Sequence, residues 1–213
     1  MTATGAPPSS AGADARLDFA ATKRNRAPML EHLRRWLPAD GRVLEVAAGS
    51  GQHAVYFAAH LSGVTWQATD PDPRHRASID AWRKALDAGH RVPPALALDA
   101  RDEVWPEGPW HAVVATNLVH IAPWSVTEAL MRGAARSVVP NGALILYGPY
   151  HRDGQPTAPS NAAFDADLRS RDPAWGVRDL EAVVAAAAAA GWLIVDCESM
   201  PANNLMLRFE RAV

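Results

Sequence analysis

Short apolar runs alternate with amphipathic stretches along most of this chain. From Asp18 onward, runs rich in Val, Ile, Leu and Ala recur at Arg42–Ala47, Thr65–Asp70, Ala95–Ala100, His111–Asn117, Ala143–Gly148, Trp192–Met200 and Leu205–Arg211. Each has the length of a strand and lies near the Gly, Pro, Asn or Asp residues that punctuate strands. Between them apolar residues return at helical spacing, which predicts helices at Pro28–Trp36, Gln52–His60, Pro73–Ala88, Trp124–Val138 and Asp179–Ala190. Such alternation is the mark of crossover units, so the expected fold class is α/β with a mostly parallel seven-stranded sheet. The last two runs are separated only by Pro201–Asn204, too short a link for a parallel crossover. They predict a C-terminal antiparallel hairpin closing the sheet.

Composition narrows this picture. With 213 residues, 48% of them hydrophobic, the chain can fill one core of ordinary size, and residues 17–213 read as a single domain. Residues 1–16 are small and Pro/Gly/Ser-rich, lack the basic and apolar regions of a signal peptide, and are expected to be a disordered tail. A formal net charge of -2 gives no broad basic field, so nucleic acid is not an expected partner. Ala182–Val195, the longest greasy stretch, falls short of the roughly 20 residues a membrane span needs. Cys197 is the only cysteine, which rules out an intramolecular disulfide and suits the cytoplasm. No compact His or carboxylate pair suggests a metal, and none is expected.

The chemistry concentrates at Arg42–His53, RVLEVAAGSGQH, where a strand runs through Glu45 into Gly49-Ser50-Gly51 and a helix follows. Two glycines let the backbone turn sharply and approach a ligand, and the helix aims its first N–H groups back at the turn. Gly49 to Ala54 also satisfies the G-x-G-x-x-A form of the dinucleotide fingerprint, and Asp70 lies about 20 residues beyond, where a ribose-binding carboxylate belongs in either kind of site. Glu45 separates the two. A carboxylate before the turn is a poor neighbour for the phosphates of NAD and a good one for a nucleotide carrying a sulfonium and an ammonium. Asp99, ending LALDA, can accept from an adenine amino group, with the Ala100 N–H available to a ring nitrogen. All these residues fall near the carboxyl edge of the expected sheet, where open parallel sheets bind their ligands.

The segments LEVAAGSGQHAVYFA, TWQATDPDPRHRASIDAW, LALDA, NLVHIAPW, LILYGPY and SNAAFDADLRSRDPAWGVRDLE, with KRNRAPML before them and PANNL after, resemble the DUF938 family, also called UPF0585, of class I methyltransferase-like proteins. The resemblance spans roughly Phe19–Glu210. It implies a Rossmann-like class I methyltransferase fold, S-adenosylmethionine as cofactor with S-adenosylhomocysteine as product, and methyl transfer to a small molecule whose nucleophile (O, N or S) is open. Arg24 and Asn25 match the family segment before the first helix, where an arginine would neutralise the cofactor's methionine carboxylate. His53 belongs with the matched glycine loop.

Methyl transfer from a sulfonium asks mainly for alignment, exclusion of water and, for some acceptors, removal of a proton. After the fourth strand, Asn117 is placed to hold the cofactor's methionine part and His120 to act as base or to orient substrate. Tyr150, beyond the Gly148-Pro149 turn, is the second expected catalytic side chain. Eight tryptophans are many for this length, and Trp124 is expected to wall an apolar substrate pocket with Trp175. The polar stretch HRDGQPTAPSNAAFDADL reads as a lid carrying Ser160 and Asn161 to substrate, or as the capped start of a helix near Asn161. Two other functions stay open: a non-catalytic S-adenosylmethionine-binding regulator or scaffold, and an NAD(P)-dependent reductase, which Glu45 and the terminal hairpin oppose.

Overall fold

The computed structural model describes residues 14–211. Residues 1–13 of the expected tail lie outside the described residues, and Asp14–Arg16 is exposed. The first helix, α1 (Ala20–Trp36), begins well before Pro28. Its buried face of Thr22, Asn25, Met29, Leu30 and Leu33 offsets the proline's lost hydrogen bond, so the basic run Lys23–Arg26 is helical and not the expected loop. Ahead of it the chain is strapped down: Phe19 N–H donates to Gln52 Oε1 at 2.8 Å, and Leu17 N–H to Ser78 Oγ at 2.8 Å.

Strands β1 (Asp40–Glu45), β2 (Gly63–Ala68), β3 (Trp110–Thr116) and β4 (Val138–Pro149) pair in parallel, with β1 between β2 and β3. Crossovers run through α2 (Gln52–His60), α3 (Pro73–Ala85) and α4 (Trp124–Ser137). After β4 come a small ribbon, β5 (His151–Arg152) with β6 (Gln155–Pro156), and then α5 (Pro159–Arg171) and α6 (Leu180–Ala189). Most of the expected polar lid is therefore this ribbon and helix; the helix begins at Pro159, and its N-cap, Ala158, makes no side-chain cap, so the expected capped start does not form. Finally β7 (Trp192–Met200) and β8 (Asn204–Arg211) form the predicted antiparallel hairpin, with β8 inserted between β4 and β7.

The main sheet has six strands, in the order β2-β1-β3-β4-β8-β7, one fewer than the sequence suggests. Ala95–Ala100 tracks the β2 edge but meets it through a single bridge, Thr69 with Leu96. Pro93 and Pro94 have no N–H to pair, and Leu96 is 39% exposed, so little holds this segment as a strand.

Alternation along each strand divides the core into two layers. On β4, Leu144 and Leu146 face α4 and α6, whereas Ala143, Ile145 and Tyr147 face α1 and α2. No helix among the described residues is long and apolar enough to cross a membrane.

Candidate active site

The carboxyl ends of β1, β2 and β3 open onto a cavity of about 820 Å³. After β1 the chain turns through left-handed backbone at Ala47 (φ 58°), Gly49 (φ 59°) and Gly51 (φ 84°). Gly49 faces the cavity. Gly51 does not; it is the N-cap of α2, and a Cβ there would lie 2.7 Å from the Ile79 Cα. Its role is to let α2 and α3 close behind the loop.

Of the residues expected to hold a cofactor, Asn25, Glu45, Gly49, His53, Asp70, Asp99, Ala100 and Asn117 all line this cavity. Glu45 is nearly fully buried, and its Oε2 accepts from the Trp66 indole N–H at 2.7 Å. The carboxyl is therefore not unpaired, as the sequence alone suggests, because the neighbouring strand supplies the partner. Burial nonetheless pushes its pKa up from 4.5 to about 8; the indole bond opposes the shift and the Asp70 charge adds to it. Asp70 Oδ2 accepts from the Gly49 N–H at 2.9 Å and Oδ1 from the Asp72 N–H at 2.9 Å, which locks the glycine turn to the end of β2. Asp99 reaches the cavity wall with both oxygens on the Arg101 guanidinium, an ion pair at 2.6 Å that an adenine amino group would have to share. Thr116 Oγ1, also on this cavity, is buried without a hydrogen-bond partner among the described residues.

His53 rests flat on Phe57, with ring centroids 5.2 Å apart, and its Nε2 lies 2.8 Å from Asn25 Oδ1. A carbonyl oxygen only accepts, so Nε2 carries the proton. Burial, with a smaller push from the Arg26 charge, lowers the His53 pKa to about 3 and keeps the ring neutral.

A second cavity, of about 330 Å³, adjoins the first. Ala21, Asn25, Asn117 and Phe164 line both, and the left-handed Asn117 (φ 59°) stands at the junction. Arg24 opens onto this second space and not the first, because α1 carries Arg24 and Asn25 on adjoining parts of its surface. Ser160 and Asn161, expected to reach substrate, line it from the first turn of α5. Asn161 Nδ2 donates to Thr157 Oγ1 at 2.8 Å and to the Asn203 carbonyl at 3.0 Å, tying α5 to the hairpin turn. Asn204 also lines the space, although a hairpin position alone accounts for an asparagine.

Besides Gly51, three expected residues are displaced from both cavities. His120 is fully buried; its Nδ1 accepts from the Arg178 N–H at 3.1 Å, while Nε2 has no partner among the described residues. Burial and the Arg178 charge hold it down to about 3, so it is neutral and a poor base. Tyr150 meets it edge-on at 4.8 Å, equally buried, with an unpartnered hydroxyl whose pKa burial raises. The physical reason is the turn at Asn117, where the His120 N–H returns to the Asn117 carbonyl at 3.0 Å and carries the imidazole under β4. There only a glycine fits: a Cβ at Gly148 would lie 2.5 Å from His120 Nε2. Trp124 packs into the α4–α6 layer with the Arg178 guanidinium 5.8 Å from its ring centre, whereas Trp175 lines the first cavity.

Tyr147 was the residue to find. It shares β4 with Tyr150's approach but faces the other layer and lines the second cavity, where burial raises its phenol while Asn25 and the Arg24 charge pull the other way. Strand parity from Ile145 was the available signal.

Residues 17–211 match the family described as "Protein of unknown function (DUF938)". Among solved structures, the chain is similar to an O-methyltransferase family protein from Burkholderia thailandensis (TM-score 0.76, 20% identity, covering 90% of this chain and 57% of that one). It is similar also to PigF with SAH (TM-score 0.77, 12% identity, 89% and 56%). A third is the O-methyltransferase family 2 protein from Planctomyces limnophilus in complex with apigenin (TM-score 0.72, 18% identity, 88% and 62%). The chain thus spans little more than half the length of these proteins, and the likeness is one of fold.

Proposed function

The chain belongs to the DUF938 family, and from that premise we propose that it is an S-adenosylmethionine-dependent methyltransferase acting on a small molecule. The observation that carries the reading is Glu45, a carboxyl buried at the wall of the larger cavity with the Asp70 carboxylate near enough to raise its pKa. Asp70 attracts a cationic ligand and repels a pyrophosphate, and a cation beside Glu45 favours loss of the proton that burial keeps on it, so cation and ionised carboxylate stabilise each other. Its residues suit the cofactor: Glu45 for cationic groups, Asp70 for a ribose, Asp99 and the Ala100 N–H for an adenine, and the unpartnered Thr116 hydroxyl for one further polar contact. When bound, S-adenosylmethionine supplies an electrophilic methyl group on a sulfur that departs as a neutral thioether. Asn25 and Asn117 stand where the two cavities meet, placed to orient donor and acceptor toward each other, and Phe164 helps keep water out.

The burial of His120 and Tyr150 favours a second reading, a non-catalytic S-adenosylmethionine-binding regulator, because it removes both expected proton acceptors from the acceptor side. Calorimetric titration with S-adenosylmethionine, S-adenosylhomocysteine and NADH, on the wild type and on Glu45→Ala and Asp70→Ala, tests the cofactor. Both sulfur nucleotides are expected to bind and NADH not to; failure of both sinks the assignment. Binding without S-adenosylhomocysteine release across a broad acceptor panel selects the regulator.

A further inference from the structure

The smaller cavity has its own electrostatic character. Its polar lining is neutral (Asn25, Asn117, Tyr147, Ser160, Asn161 and Asn204) except for Arg24. Among the described residues Arg24 has no carboxylate within ion-pair distance, while its charge lies near enough to favour ionisation of Tyr147. No Asp, Glu, His or Lys lines the space among the described residues. Tyr147, buried and protonated at neutral pH, donates a hydrogen bond rather than taking a proton.

Resting on the cofactor reading above, we propose that this cavity receives a small anionic acceptor, a carboxylate or thiolate that brings its nucleophilic charge with it and is held by Arg24. Among the described residues, nothing in the lining can deprotonate an alcohol or an ammonium, and an ammonium would face Arg24 with no lining carboxylate to offset it. An anion needs no base. Its lone pair forms the bond to the methyl carbon as the carbon–sulfur bond breaks and its electron pair stays on sulfur. Anion and sulfonium thereby become a neutral methyl ester or thioether and a neutral thioether, and no proton leaves. A volume of about 330 Å³ limits the acceptor to a small molecule.

The test begins with protein saturated with S-adenosylhomocysteine, so that failure of the cofactor reading shows first and separately. The loaded protein is titrated with 3-mercaptopropionate and benzoate, with cysteamine and glycerol as cationic and neutral controls. The anions are expected to bind more tightly than the controls. Arg24→Met is expected to weaken them by about tenfold with S-adenosylhomocysteine affinity unchanged, and Arg24→Lys to recover part of the loss. Equal or tighter binding of cysteamine or glycerol, no anion binding, or anion binding unmoved by Arg24→Met each overturns the proposal. So does a loss of S-adenosylhomocysteine affinity in Arg24→Met, which would assign Arg24 to the donor's carboxylate.

Discussion

Two cavities meet at Asn25 and Asn117 and differ in charge as much as in size. The larger presents Glu45, Asp70, Asp72 and Asp99 together with Arg74, Arg101 and Arg171, of which Arg74 pairs with Asp72 and Arg101 with Asp99; the smaller presents Arg24 among neutral amides. The buried carboxyl groups of Glu45 and Asp70 belong to one side and the Arg24 guanidinium to the other, with uncharged side chains where the cavities touch. Under the proposed function, that contrast would sort donor from acceptor by field as well as by shape.

The sharpest way to break this contrast is Gly51→Val. A side chain at φ 84° with its Cβ 2.7 Å from the Ile79 backbone forces α2 from α3, and a loss of about 3 kcal/mol or more is expected in urea unfolding. Glu45 gives the next largest effect, and it depends on pH. The folded carboxyl titrates near 8 and the unfolded one near 4.5, so the folded state holds the extra proton between them. Its contribution is complete below 4.5 and disappears as pH rises toward 8, whereas Glu45→Gln, which keeps an acceptor for Trp66, escapes that loss. The variant is expected to exceed the wild type by a few kcal/mol at pH 8 and to converge on it below pH 4.5, read by denaturation across pH. Coincident curves would mean that Glu45 is ionised in the ligand-free protein.

Asp70→Asn weakens the clamp on Gly49 and is expected to cost about tenfold in S-adenosylhomocysteine affinity by calorimetry, while 3-mercaptopropionate binding to the loaded protein changes by less than about twofold. Equal losses would show that the cavities do not act separately. The smallest effect belongs to Tyr150→Phe. Removing a buried, unpartnered hydroxyl is expected to leave turnover unchanged and the melting temperature equal or slightly higher; a large loss of turnover would restore Tyr150 to the reaction.

The larger cavity was the more legible in the sequence, because it is built from strand ends and a glycine turn whose local pattern states their geometry. Glu45, Asp70 and Asp99 each end or follow an apolar run, so their common edge follows from the alternation. What local pattern could not show was the Glu45–Trp66 bond, made between neighbouring strands, and the pairing of Asp99 with Arg101. The smaller cavity was harder to read because it depends on parity and reversal. Tyr147 and Tyr150 are equivalent aromatics until the facing of β4 is known, and His120 leaves the edge only because Asn117 adopts φ 59°. Pro28 suggested a helix start, which hid the turns carrying Arg24 and Asn25, and Pro93-Pro94 stood before a run too poorly paired to become the seventh strand.

The smaller cavity is assembled from parts far apart along the chain: Ala21, Arg24 and Asn25 on α1 meet Pro201, Ala202 and Asn204 of the final hairpin. Contacts of such high sequence separation carry the greatest loop-closure cost and tend to form late in folding. The larger cavity, spanning mostly β1 to the end of β3, closes shorter loops. Fraying of the β7–β8 hairpin would therefore open the smaller cavity while the larger stays formed, giving each its own local stability.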